Sequence, residues 1–129
     1  MGLYKQKIFS GTSNLKLAEE IANLANNRLG DLSIQKFSDG ELWVKYGENL
    51  RGNDVYIIQS TNSPGDNTIE LALLIDAAKR ASAASISVVI PYLGYARQDR
   101  KDEPRVPISA KVMIAVSYTH LTLPTIYSV

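Results

Sequence analysis

Residues 86–111 read ISVVIPYLGYARQDRKDEPRVPISAK. The first five, Ile86 to Ile90, are apolar and β-branched apart from one serine, the pattern of a buried strand. Beyond Pro91 the character changes at once. Four cations (Arg97, Arg100, Lys101, Arg105) and three anions (Asp99, Asp102, Glu103) fall within nine residues, with Tyr92 and Tyr95 just ahead of them. Open α/β sheets bind ligands in loops at the carboxyl ends of their strands, and this loop is so placed. Guanidinium and ammonium groups suit phosphate oxygens, and arginine can bond them bidentately. The same residues also suit a solvated surface loop, and charge alone leaves both readings open.

Upstream of this stretch the chain alternates. Lys7 to Phe9 reads as a first strand that ends in the turn Ser10-Gly11-Thr12-Ser13. Ser13 or Asn14 can cap the helix that follows, in which Leu17, Ile21 and Leu24 recur at helical spacing. Gly30 is expected to end it. A strand, a glycine turn and a helix can form a phosphate site, but one glycine is a weak signal beside a plain connecting turn. Leu32 to Phe37 and Leu42 to Tyr46 alternate as strands around the turn Ser38-Asp39-Gly40-Glu41, a hairpin whose tip sets two carboxylates beside the Phe37 and Trp43 rings. That tip is either a surface hairpin kept soluble by its acids or a clamp, with rings to stack on a base and a carboxylate to accept from an amino group or a ribose hydroxyl. Val55 to Ile58 is apolar on both faces, as a central strand would be. A helix over about 67–82 is expected to bury Leu71, Leu74, Ile75 and Ala78, with Asn67 and Glu70 resembling a capping box and Lys79-Arg80 at its negative end. Pro107 and Ile108 are expected to open a further helix. The alternation predicts an α/β domain with a mainly parallel sheet and one hairpin.

Composition narrows the possibilities. A chain of 129 residues holds one domain, and 45% apolar with 21% charged residues is ordinary for a soluble globular one. Net charge is +1, which gives no general attraction to nucleic acid or to a membrane surface. With no cysteine, disulfide and thiolate chemistry are excluded, and the single histidine, His120, cannot build a histidine-rich metal site. No apolar run approaches the roughly 20 residues that span a bilayer. The opening MGLYKQKIF lacks the long apolar core of a signal peptide and matches the myristoylation pattern poorly, so a cytoplasmic location is expected.

Three stretches in this order, FSDGE (37–41), DNTIELALLIDAAKRASA (66–83) and PYLGYARQDRKDEPRVPISAK (91–111), closely resemble ribose-phosphate diphosphokinase, also called phosphoribosyl pyrophosphate synthetase. The opening IFSGTSNLKLAEEIA fits as well, and the likeness covers roughly Lys7 to Ala115. The YARQDRK run with PISAK behind it is its most specific part. The resemblance implies a phosphoribosyltransferase-like three-layer fold, here the N-terminal domain of a two-domain subunit that forms dimers and commonly hexamers. It implies transfer of the β,γ-diphosphoryl group of ATP to ribose 5-phosphate, giving phosphoribosyl pyrophosphate and AMP, with Mg2+ required. It implies a composite ATP site. Arg97 and Gln98 reach the nucleotide with Asp99, Arg100, Lys101 and Asp102 nearby, and a neighbouring subunit's hairpin supplies Phe37, Asp39, Gly40 and Glu41. Arg97 and Lys101 would meet polyphosphate oxygens. Asp39 and Glu41 would repel them and suit adenine or ribose, while Asp99 or Asp102 would orient the arginines, the favoured role, or hold magnesium-bound waters. Arg51 and Ser82 match places near the family's regulatory phosphate or ADP site.

The likeness stops near Ala115. The family's aspartate–leucine–histidine magnesium motif, its mobile basic loop and its acidic, threonine-rich ribose 5-phosphate loop have no counterpart here. Residues 1–115 therefore read as an incomplete N-terminal domain, truncated before the second. No catalytic residue or metal ligand is assigned within it, the Mg2+ ligands are expected mostly elsewhere, and the chain alone is expected to be inactive. Residues 116–129, VSYTHLTLPTIYSV, are threonine-rich and unlike the helix they interrupt. VSYTHLTLPT is what GTC-TCT-TAT-ACA-CAT-CTG-ACG-CTG-CCG-ACG encodes, a string resembling the transposase end and adapter of sequencing libraries. The tail is read as translated adapter, with a short C-terminal strand as the rival. Two other functions stay open: a non-catalytic regulatory paralogue of the synthetase, and a plain nucleotide-binding module of the same fold.

Overall fold

The computed structural model describes residues 5–98, 103–105 and 107. The elements run β1 (Gln6–Ser10), α1 (Leu15–Leu24), β2 (Leu32–Lys36), β3 (Leu42–Tyr46), β4 (Asp54–Ile58), α2 (Asp66–Arg80) and β5 (Ser85–Val89). β1, β4 and β5 form a parallel sheet in that order, with Ser10 opposite Ile58 and Ile58 opposite Val89 at its carboxyl end. β2 and β3 pair antiparallel, Leu32 with Tyr46 and Lys36 with Leu42. The central strand, β4, is the one that reads as apolar on both faces; flanked on both edges, it buries Val55, Ile57 and Ile58 and half-buries Tyr56. Tail residues 116–129 and the helix expected beyond Pro107 lie outside the described residues.

Period-two alternation divides the core. Phe9, Val55 and Ile57 face α2 and pack with Leu50, Leu71, Leu74, Ile75, Ala78 and Ile90. Ile8 and Ile58 face the other way and pack with Ala18 and Ala22 of α1. The hairpin closes the α2 side: its inward Leu32, Ile34, Val44 and Tyr46 lie against the first cluster, and the Tyr46 ring meets Phe9 edge-on at 4.8 Å between centroids. Burial pushes the Tyr46 hydroxyl well above the usual tyrosine range, and it stays neutral while donating to Leu74 O at 2.8 Å. The result is three layers: α1, the sheet, and α2 with the hairpin.

Three local expectations are corrected. α1 buries Ala18 and Ala22 rather than the leucine stripe, and Leu24 is 87% exposed. Two small alanines make the contact with Ile8 and Ile58, Ile21 packs partly buried beside them, and Leu17 is half-buried. The helix ends at Leu24, with Asn26 taking the left-handed conformation (φ 53°), well before Gly30. Gly30 is instead a close-approach position, since a Cβ there would lie 2.4 Å from the Phe9 ring. Thirdly, α2 has no side-chain cap at its Gly65 N-cap, and Glu70 turns inward to a distant partner. At α1 the expected cap forms, with Asn14 Oδ1 accepting from Leu17 N at 3.3 Å.

Candidate functional site

Because β1, β4 and β5 run parallel, the segments after Ser10, Ile58 and Val89 emerge at one end of the sheet. Between the second and third of these lies a cleft of about 640 Å³, lined by residues 61–63 and 91–98. Arg97 and Gln98 are exposed on it, as are the rings of Tyr92 and Tyr95. The segment 91–98 is shaped by its own turns. Tyr95 has φ 65°, a conformation unfavourable for a bulky side chain, and Gln98 N donates to Tyr95 O at 2.9 Å. Gly94 sits so close to the neighbouring segment that a Cβ would lie 2.1 Å from Thr61 O, a main-chain atom that cannot swing aside.

The floor of this end is polar and buried. Three consecutive residues after β4, Gln59, Ser60 and Thr61, are 1%, 5% and 5% exposed. Each is consumed. Gln59 Oε1 accepts from Ser13 N at 3.1 Å and Ser13 Oγ at 2.7 Å, while its Nε2 donates to Glu70 Oε2 at 2.7 Å and Asn67 O at 3.2 Å. Ser60 N donates to Ser13 Oγ at 2.9 Å. Thr61 N donates to Tyr92 O and Thr61 Oγ1 accepts from Gly94 N, both at 2.9 Å. Glu70, 3% exposed, also accepts from Thr12 N and Thr12 Oγ1, each at 2.7 Å. A buried carboxylate is tolerated where several donors face it, and three do.

This network decides the role of the turn Ser10–Ser13. Gly11 N donates to Ile58 O, Thr12 N to Glu70 and Ser13 N to Gln59. Its amides are taken, so it is a packed junction, and a Cβ on Gly11 would fall 2.1 Å from Gln59 Oε1. Local pattern assigned Glu70 to a helix cap and passed over Gln59. The signal that could have found them is a run of three polar residues directly behind an apolar central strand.

The hairpin tip stands apart from the cleft, whose lining includes none of residues 37–41. The turn is closed by Phe37 N to Glu41 O at 2.8 Å, Gly40 N to Phe37 O at 2.9 Å and Glu41 N to Asp39 Oδ1 at 2.9 Å, with Gly40 at φ 94°. Phe37 and Trp43 are 52% and 38% exposed. Arg51 and Ser82 do come together, at the opposite end of the sheet: Arg51 bridges to Ala83, and Gly52 N donates to Ser82 O at 3.1 Å. Asp99, Arg100, Lys101 and Asp102 lie outside the described residues. Among the described residues no group of three or more His, Cys, Asp or Glu side chains is placed to hold a metal ion, so none is assigned to Mg2+.

Comparisons with known proteins bear on the family and the fold. Residues 6–119 match the family model described as the N-terminal domain of ribose phosphate pyrophosphokinase. The chain is 54% identical over 108 residues to the ribose-phosphate pyrophosphokinase of Fusobacterium nucleatum, covering 83% of this chain and 34% of that protein. It is 54% identical over 110 residues to the enzyme of the same name from Thermotoga maritima, covering 84% and 35%. The crystal structure of phosphoribosylpyrophosphate synthetase from Mycobacterium smegmatis superposes with a TM-score of 0.85 at 33% identity, over 89% of this chain and 39% of that one. The chain thus spans about a third of the length of the curated relatives it matches. By motif, layer order and sequence identity alike, this chain belongs to the family of the ribose phosphate pyrophosphokinase N-terminal domain.

Proposed function

We propose that the protein to which this domain belongs is a ribose-phosphate diphosphokinase and that the domain supplies part of its ATP site. In that reaction the anomeric oxygen of ribose 5-phosphate bonds to the β-phosphorus of ATP. The bond from that phosphorus to the α,β-bridging oxygen breaks, AMP leaves with that oxygen, and the anomeric hydroxyl gives up its proton. The work asked of the protein is positioning and neutralisation of developing charge. The observation that carries this reading is the cleft at the carboxyl ends of β4 and β5, with Arg97 and Gln98 exposed on it in a domain of this family.

Arg97 and Lys101 are read as polyphosphate ligands, Arg100 as a further ATP-binding residue and Asp99 or Asp102 as orienting the arginines; Gln98 is read as a nucleotide contact. Phe37, Asp39, Gly40 and Glu41 are read as the base and ribose clamp of a second copy. Among the described residues the cleft lining includes none of 37–41, which supports that reading. Mg2+ would screen the polyphosphate when bound. Arg51 and Ser82 are held together at the other end of the sheet, which supports their reading as a separate regulatory phosphate site. A homodimer or homohexamer and a cytoplasmic location complete the proposal. Among the described residues no helix is long and apolar enough to cross a membrane. Residues 1–115 are read as the family domain and 116–129 as a foreign tail. The family match runs over residues 6–119, four residues into the stretch read as tail. A genomic match to the tail on sequencing the source gene across codon 115 would refute that part.

The test is AMP formation by the full-length protein from ATP, with ribose 5-phosphate and magnesium present or omitted. Release that depends on ribose 5-phosphate is expected, and Arg97→Ala should lower it by about 100-fold or more, as loss of a charge-stabilising donor does. A folded protein that binds ATP without turnover would instead be the regulatory paralogue.

A further inference from the structure

We infer that Thr61 is the positioning residue for the cleft segment that presents Arg97 and Gln98, acting through the amide of Gly94 on a base formed by Gln59 and Glu70. The inference rests on the proposed ATP site for its functional consequence, but its geometry stands by itself. Segment 91–98 makes a turn with Tyr95 at φ 65°. Such a turn in a non-glycine residue costs free energy and persists only where its surroundings hold it. The residue immediately before the strained one is Gly94, which is buried, and its N–H is bound by Thr61 Oγ1 at 2.9 Å. Thr61 N grips the same segment a second time, at Tyr92 O. The anchor thus lies three residues before Arg97, on the rigid side of the turn.

Thr61 is itself held in place. It follows Gln59, whose side-chain amide is bound by Ser13, Asn67 and Glu70, and Ser60, whose main-chain N–H donates to Ser13 Oγ. The chain of bonds therefore runs from the carboxylate of α2 through the end of β4 to the wall of the cleft. Gly94 closes the fit from the other side, since no side chain could be accommodated against Thr61 O. A threonine at this place serves no exposed surface: it is 5% exposed, and its hydroxyl is spent on the loop. Removing the hydroxyl while keeping the shape leaves a buried N–H without an acceptor. The turn at Tyr95 is then free to relax, and Arg97 moves with it.

The test uses the full-length protein with Thr61→Val and Thr61→Ser. Three quantities are read: amide hydrogen exchange across residues 91–98, the dissociation constant for ATP, and the thermal midpoint. Thr61→Val should speed exchange in that segment by about tenfold or more and weaken ATP by about tenfold, with the midpoint lowered only slightly. Thr61→Ser, which keeps the hydroxyl, should restore both. Unchanged exchange in Thr61→Val overturns the inference, and so does a failure of Thr61→Ser to restore it. A Thr61→Val protein that does not fold also overturns it, because the residue would then be a structural support of the whole domain. If the unaltered protein does not bind ATP, the proposed site fails, and the exchange comparison still decides whether Thr61 sets the loop.

Discussion

Two glycines at the turns of this domain are required for opposite reasons, and substitution separates them. Gly94 has an ordinary backbone but no room, with Thr61 O 2.1 Å from where a Cβ would be. Gly40 has open space around it but a left-handed backbone, φ 94°. Gly94→Ala must displace main chain and should cost about 2–3 kcal/mol, as overpacking of a close contact does. Gly40→Ala meets only the conformational penalty of about 1–2 kcal/mol. Urea midpoints of the two variants should therefore fall in that order, and only Gly94→Ala should also disturb exchange in the cleft segment. Glu48 makes a third test at this scale. Its carboxylate accepts from Lys7 Nζ at 2.7 Å and from Asp31 N at 2.6 Å, and these bonds hold its pKa below the ordinary carboxylate value. A depressed folded-state pKa adds stability that is fully present above the unfolded value and is lost as pH falls through the folded one. Glu48→Gln should lower stability by about 1 kcal/mol near pH 7, a modest figure because the pair is part-exposed, and by progressively less as the pH drops below about 4. An equal loss at both pH values would mean that the charge is not what matters.

Among the elements, α2 carries the most. Leu71 and Leu74 are fully buried between the sheet and the hairpin, and Leu74 also offers its carbonyl to the Tyr46 hydroxyl. Leu74→Ala should cost about 3 kcal/mol through lost burial and the cavity left behind, whereas Tyr46→Phe should cost only about 1 kcal/mol. Chemical denaturation would rank them. What the sequence reveals of these elements follows from the same physics. The apolar positions of α2 and the alternation of β2 and β3 are legible because each buries one face against a large partner. The seating of α1 is not, because its contact is made by two alanines, which carry little hydrophobic signal beside Leu17 and Leu24. The cleft loop is legible in its charges and position. Its foundation is not, since Thr12 and Glu70 are 58 residues apart and only the fold introduces them.

For the molecule as a whole, the parallel arrangement assigns the two ends of the sheet to different tasks. One end gathers the turn after β1, the buried polar run after β4 and the cleft segment after β5. The other end brings Arg51 and Ser82 side by side, and is joined mainly by backbone: Gly52 N to Ser82 O, and Ala84 N to Asn53 O at 2.8 Å. Main-chain bonds are indifferent to the side chains that accompany them. The bonds at the cleft end need a particular amide, hydroxyl and carboxylate, and two positions without a Cβ. The two ends should therefore differ in how freely they can drift. A library randomised at 49, 51 and 53, leaving the buried Leu50 and the left-handed Gly52 in place, should yield many folded members, whereas one randomised at Gly11, Gln59 and Glu70 should yield few outside the original residues. The domain is evolvable at one pole and frozen at the other.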